Sequence, residues 1–240
     1  SLRSFYAYYF KREMIHTNPT VLVDVPKIHQ KSIIRLEADE VALLLDYIEH
    51  CGDTLTGQKR MYHEKTKDRD LAIVTLLLGT GIRVSECVGL NLDDVDMKES
   101  GIHIRRKGGK ETTVYFNAEV ARRLNEYLSV RTGIETLPEH KNALFLSLRN
   151  QRITVRSVEY LVKKYASIIA PKKKITPHKL RSSYGSAVYK ETNDIYLVAD
   201  ILGHNDVNIT RKFYAAIRSH SVAQAVTSTS WAQVILPLLA

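Results

Sequence analysis

The chain has 240 residues, 44% of them hydrophobic, with 35 Lys plus Arg against 26 Asp plus Glu, a formal net charge of +9 and a pI near 9.4. That length accommodates one large domain or two small ones with cores of their own, and a basic excess spread along the chain suits a polyanion, nucleic acid first. Cys51 and Cys87 lack metal-ligand spacing and read as buried free thiols in a reducing cytosol; no apolar run reaches the ~20 residues of a membrane span, and no signal peptide opens the chain.

Residues 2–15 place Leu2, Phe5, Tyr6, Tyr9, Phe10 and Ile15 at helical spacing. That is too much aromatic surface for a lone helix, so a partner domain or a dock on the body is expected. The sequence opens mid-helix, as a fragment of a longer chain would. Asn18-Pro19 ends the helix, and residues 19–32 read as an extended linker with two prolines and no period. Residues 37–50 form a helix with Val41, Leu44, Leu45 and Ile48 inward. Residues 52–67 are polar and charged and read as a long loop. Residues 68–79 are nearly all apolar after one turn, the pattern of a central buried helix. Thr80-Gly81 breaks it, and Arg83 begins a short helix with Val84, Cys87 and Val88 on its inner side.

An acidic turn over 91–100 leads to two strands, 101–106 and 111–116, joined at Lys107-Gly108-Gly109-Lys110, a hairpin signal. Residues 118–130 form an amphipathic helix through Val120, Ala121, Leu124 and Leu128. A short apolar run, 143–148, precedes a helix over 155–169 with Val158, Leu161, Val162, Tyr165 and Ile168 inward. A basic loop follows at Pro171-Lys172-Lys173-Lys174.

The last third carries the densest pattern, TPHKLRSSYGSAVY and then ILGHNDVNITRKFYAAI. Thr176 can cap a helix and Pro177 suits its first position. Leu180, Tyr184, Ala187 and Val188 form its apolar stripe, leaving His178 and Arg181 together on a face the core does not claim. A helix over 194–202 stops at Gly203, with His204 just beyond. Asp206 or Asn208 can cap a third helix that buries Ile209, Phe213 and Ile217; Tyr214 lies about 100° round from that stripe. The body is mainly α with a small antiparallel β-sheet.

Four blocks, GTGIRVSECVGL (79–90), RRKGGKETTVYF (105–116), TPHKLRSSYGSAVY (176–189) and LGHNDVNITRKFYAAI (202–217), resemble in order and spacing the catalytic domain of the tyrosine recombinases, the family of phage and transposon integrases and Xer-type recombinases. The resemblance implies that family's catalytic-domain fold over 36–217. Residues 1–18 would end a core-binding domain, 19–35 would be the linker, and the 218–240 tail would dock on a neighbouring protomer. It implies DNA strand exchange through a covalent 3′-phosphotyrosyl link, with no metal, ATP or other cofactor. Tyr214 is then the nucleophile, Arg83 and Arg181 clamp the phosphate, and Lys107 protonates the leaving 5′ oxygen, with Lys110 as its alternative. His178 serves as general base, His204 hydrogen-bonds the phosphate, and Glu86 orients Arg83.

Candidates for DNA contact are Arg105, Lys110, Arg152, Arg156, Lys172, Lys173, Lys174, Lys179 and Arg211. Double-stranded DNA is the implied partner, bound by a dimer per site and a tetramer in the synapse, in the cytoplasm on the nucleoid. Many Xer-type members carry the tyrosine nine residues after the LGH histidine, where this chain has Phe213; many integrases carry it ten after, at Tyr214. The helical stripe favours Tyr214. The competing reading is a DNA-binding or architectural relative inactivated by Phe213.

Overall fold

The structure, a computed structural model, describes residues 2–24, 34–106 and 109–203. The chain divides into two compact units, residues 1–32 and 33–240. In the first unit α1 (Leu2–Lys11) buries no residue. Its aromatic rings lean on each other instead: Phe5 meets Tyr9 at 4.7 Å between centroids, and Arg12 lies 4.7 Å over Tyr8. It stops short of the expected Ile15 because Glu13 turns left-handed, with φ of 55°.

The second unit is organised by its longest helix. α2 (Ala38–His50) opens with a capping box, the Glu37 amide donating to Glu40 Oε2 at 2.8 Å. Val41, Leu44 and Ile48 are buried and Leu45 half-buried. A 3-10 turn at Cys51–Thr54 then leads directly into α3 (Gly57–Thr80), 24 residues long. The loop expected over 52–67 is therefore wrong from Gly57 onward. The charged residues there, Gln58 to Asp70, are mostly good helix formers with no proline among them. Their polarity reflects solvent on most of the first half of the helix, where His63, Thr66 and Asp70 are the buried positions, not absence of structure. From Leu71 to Thr80 every residue of α3 is buried. This half packs against α2, against α5 (Ala118–Arg131) and against α7 (Pro177–Thr192).

Gly81 ends α3 with φ of 62°, and a Cβ there would run into the Tyr184 ring. α4 (Val84–Gly89) follows, with Cys87 wholly buried and its thiol pushed up to about 12 by burial. Cys51 is buried too, and both thiols are free, as the composition predicts. The acidic turn contributes more than expected: a 3-10 turn at Leu92–Asp94 and an edge strand, β1 (Val95–Asp96). With β2 (Gly101–Arg105) and β3 (Glu111–Tyr115) it makes a three-stranded antiparallel sheet in the order β1-β2-β3, with Ile102 opposite Val114 and Arg105 opposite Glu111.

Asn117 caps α5 by accepting from the Val120 amide at 3.0 Å. On α5, Arg123 is buried with its charge matched by Glu49 and Glu119, at 2.5 and 3.0 Å, which ties α5 to α2. The 143–148 run is pinned by Tyr127, whose hydroxyl donates to the Leu144 carbonyl at 3.1 Å and accepts from the Leu146 amide at 3.2 Å. α6 (Val155–Ile169) buries Val158, Leu161, Val162, Tyr165 and Ala166. Ile168 is 52% exposed, a correction to the expected stripe: the buried face runs through Tyr165 and Ala166 to the half-buried Ile169, and Ile168 lies about 100° round from Ile169, at the edge of that face. α7 runs into α8 (Ile195–Leu202), capped by Asp194 and ended at Gly203 with φ of 60°. A small apolar cluster of Val188, Tyr189, Val198 and Leu202 joins these two helices.

Candidate active site

The end of α8 is where two of the predicted groups, Arg83 and Arg181, meet. A helix terminus leaves its last carbonyls without partners inside the helix and carries partial negative charge. Here they are met by guanidiniums from three separate segments. Arg83 Nη2 donates to the Gly203 carbonyl at 3.2 Å. Arg181 Nη2 donates to the Leu202 carbonyl, and its Nη1 donates to the Gly81 carbonyl at the end of α3. Arg106 Nη2 donates to the Ile201 carbonyl at 2.9 Å. The carbonyl partial charges offset the repulsion among the cations, and an anion set among them would offset it further.

Each arginine has a local reason for its place. Arg83 is the residue before α4, and Glu86 grips it twice: Glu86 Oε2 accepts from the Arg83 amide at 2.6 Å and Oε1 pairs with Nη1 at 2.8 Å. Glu86 therefore sits where a partner orienting Arg83 is expected. The Arg83 side chain keeps 37% of its surface exposed, while that of Glu86 keeps 5%. Arg181 departs from expectation. It is 5% exposed, so it does not lie on a face the core leaves open. The correction has a physical cause: its turn of α7 is covered by the ends of α3 and α8, whose carbonyls satisfy the buried guanidinium.

His178 lies one turn before Arg181, at the start of α7. Its pKa is lowered below the ordinary imidazole value, first by partial burial and then by the positive charges of Lys179, Arg181 and Arg83. A neutral imidazole within the field of both arginines can accept a proton. Arg83, Arg181, His178 and Glu86 are thus brought to one place. Lys107, His204, Tyr214, Arg211 and the competing position Phe213 lie outside the described residues, as does the expected helix over 206–217.

Among the predicted DNA contacts, Arg105, Lys110, Arg156, Lys172 and Lys174 are exposed and Lys179 is half-buried. Lys173 is paired with Glu40 at 2.6 Å. Arg152 is turned inward, donating to the Leu90 carbonyl at 2.7 Å and to Asn91 Oδ1 at 2.5 Å, so its fork braces the end of α4. A groove of about 600 Å³ between α4 and the sheet is lined by Glu86, Asp94, His103, Arg105 and Glu111 among others. Its mixed charge makes it a poor cradle for phosphate.

Sequence reasoning missed Arg106. The signal was the strand's alternation: His103 and Arg105 are exposed while Ile102 and Ile104 are buried, so Arg106 continues on the inward face. No group of His, Cys, Asp and Glu able to hold a metal occurs among the described residues, and no described helix is long and apolar enough to cross a membrane.

A model of the phage integrase family matches residues 34–220. A tyrosine recombinase XerC from Caldanaerobacter subterraneus subsp. tengcongensis is 37% identical over 238 residues, covering 97% of this chain and 62% of that protein. A tyrosine recombinase XerS from Lactococcus lactis subsp. cremoris is 38% identical over 176 residues, or 72% of this chain and 49% of its own length. This chain thus spans about half to two thirds of the curated relatives it matches. Among solved structures, a XerA recombinase aligns with a TM-score of 0.66 and 25% identity over 95% of this chain and 75% of its own. The Tn1549 transposon integrase in complex with transposon right end DNA aligns at 0.68 over 95% of this chain and 78% of its own, with 23% identity, and speaks for the fold.

Proposed function

Since this chain belongs to the phage integrase family, we propose that it is a tyrosine site-specific recombinase that cuts and rejoins DNA strands through a 3′-phosphotyrosyl intermediate, without metal or ATP. What carries this reading is the meeting of Arg83 and Arg181, far apart in the chain, on neighbouring carbonyls of the α8 end with His178 beside them. Two planar forks held apart by fixed carbonyls can grip the non-bridging oxygens of one phosphodiester and stabilise the charge that builds there. Tyr214 attacks phosphorus, its proton passing towards His178. The bond to the 5′ oxygen breaks, and Lys107 supplies that oxygen's proton. His204 hydrogen-bonds the phosphate. The broken bond's energy is kept in the phosphotyrosine, so a 5′-hydroxyl from another strand can reverse the step.

Double-stranded DNA is the substrate, and phosphate contacts from Arg105, Lys110, Arg156, Lys172, Lys174, Lys179 and Arg211 supply much of the affinity. Arg152 and Lys173, engaged within the protein, contribute less. The assembly is a dimer on each site and a tetramer in the synapse, working in the cytoplasm on nucleoid DNA, with residues 218–240 docking on a neighbouring protomer. Residues 1–18 are the end of the core-binding domain.

A nicked duplex that traps cleavage tests this. The protein forms an SDS-resistant covalent adduct, Tyr214→Phe forms none, and Phe213→Leu retains part of the activity while losing stability. An adduct that persists in Tyr214→Phe overturns the assignment of the nucleophile. No adduct from the unaltered, full-length protein overturns the enzyme.

A further inference from the structure

We propose that Arg106 is a positioning residue for strand cleavage: its side chain fastens the base of the β2–β3 hairpin to the last turn of α8, and so sets where the next residue in the chain, Lys107, meets the phosphodiester. The proposal rests on the recombinase reading given above, with Lys107 as the acid.

Two sets of contacts support it. The Arg106 backbone closes the hairpin base, its amide donating to the Lys110 carbonyl at 2.8 Å and its carbonyl accepting from the Gly109 amide at 3.1 Å. Its side chain leaves the sheet altogether. Nη2 donates to the Ile201 carbonyl at 2.9 Å and Nη1 reaches the Asp200 carbonyl at 3.5 Å. One residue thus ties the strand that leads into Lys107 to the helix end on which Arg83 and Arg181 are also hung.

The space for this contact is made by Gly203. A Cβ there would run into the Arg106 guanidinium, and φ of 60° at Gly203 disfavours any other residue as well. Arg106 Nε is buried and has no hydrogen-bond partner, so the side chain gives up one of its own bonds to make this reach. A lysine could supply the charge but not the planar fork that meets two successive carbonyls.

The chemistry supplies a readout that mere structural damage would not move. In cleavage the tyrosine oxygen forms a bond to phosphorus, the bond from phosphorus to the 5′ oxygen breaks, and that oxygen takes the acid's proton. If sulfur replaces the bridging 5′ oxygen, the leaving group departs as a thiolate, because a thiol is a far stronger acid than an alcohol and needs no proton delivered. A defect confined to proton delivery therefore vanishes on the sulfur substrate. A defect in phosphate gripping, DNA binding or folding does not.

The experiment measures single-turnover adduct formation by the full-length protein on duplexes with 5′-bridging oxygen or 5′-bridging sulfur, for the unaltered protein, Arg106→Ala, Arg106→Lys and Lys107→Ala. On the oxygen duplex Lys107→Ala is slowed by about 100-fold or more, within the range for loss of a general acid. Arg106→Ala is slowed at least about tenfold and Arg106→Lys by less. On the sulfur duplex all three return to within about threefold of the unaltered protein. Arg106→Ala as fast as the unaltered protein on oxygen, or equally slow on both duplexes, overturns the proposal. Recovery of Arg106→Ala without recovery of Lys107→Ala removes Lys107 as the acid and overturns it too. An unaltered protein that cleaves neither duplex sinks the recombinase reading itself, a result distinct from all of these.

Discussion

The core around α3 and the corner made by α7 and α8 are held by different forces. The core around α3 is apolar and large: Leu71, Ile73, Leu76 and Leu77 meet Leu44, Ile48, Leu124, Phe145, Val158 and Leu180, all nearly or fully buried. The α7–α8 corner has only Val188, Tyr189, Val198 and Leu202 buried against each other. Its end is fixed by directed bonds from Arg83, Arg106 and Arg181 to successive carbonyls. Apolar burial is strong and non-directional, whereas guanidinium forks set angles and positions. The candidate site lies where packing is thin and geometry is fixed by the same cations that would hold a phosphate. On the proposed reading, chemistry and local order are coupled at this corner.

The largest effect that sharpens this contrast is in the core. Leu77 is fully buried in the second half of α3. Leu77→Ala should cost about 3–5 kcal/mol of global stability, as buried leucine truncations do. Urea or thermal unfolding measures it, and a loss below about 1 kcal/mol would show that the α3 core is not the stabilising centre. Val198, equally buried but in the small cluster, should cost about 1–2 kcal/mol as Val198→Ala. Its loss should appear as faster amide exchange along α8 and slower adduct formation, with a smaller change in the unfolding midpoint. A uniform loss of protection through α3 would erase the distinction between the regions.

The same contrast decides what was legible in the sequence. The second half of α3 is readable as an unbroken apolar run buried all round, and α5, α6 and α7 are readable because burying an apolar stripe imposes a period. The first half of α3 is not: Gln58, Lys59, Arg60, Glu64, Lys65 and Lys67 have no apolar period, and only their helix propensity and the absence of proline argue against a loop. β1 is two residues long, and pairing with β2 rather than its own composition makes it a strand. In the site, Arg83 and Glu86 are three residues apart and their ion pair is local to one turn. Arg181's burial and Arg106's reach to α8 depend on which helix ends meet, which a linear pattern does not encode.

A subtler effect concerns the charge at the corner. His178 has its pKa lowered by partial burial and by Lys179, Arg181 and Arg83. As a base it must be neutral to act, and a lowered pKa keeps it neutral to lower pH. The acid limb of cleavage, measured at sub-saturating DNA so that it reports the free protein, should then lie below the ordinary histidine value of about 6.5. Lys179→Ala removes a neighbouring cation, which favours the imidazolium and raises the pKa. The limb should move to higher pH. A limb that stays in place or moves lower would mean that the helix end does not set the protonation of His178.

The smallest effect marks the edge of the apolar core. Ile168 continues the sequence stripe of α6 three residues after Tyr165, yet it is 52% exposed while Tyr165 and Ala166 are buried. The next position on that face, Ile169, is only half-buried, and Ala170 closes the helix with its amide bonded to the Ala166 carbonyl at 2.8 Å. Successive helical positions are about 100° apart, so a buried face that runs through Tyr165 and Ile169 leaves Ile168 at its edge, with little to pack against. Ile168→Lys should therefore change stability by no more than about 0.5 kcal/mol, as exposed substitutions generally do. A penalty of about 2 kcal/mol would mean that the core reaches round α6 to Ile168, as the sequence stripe places it.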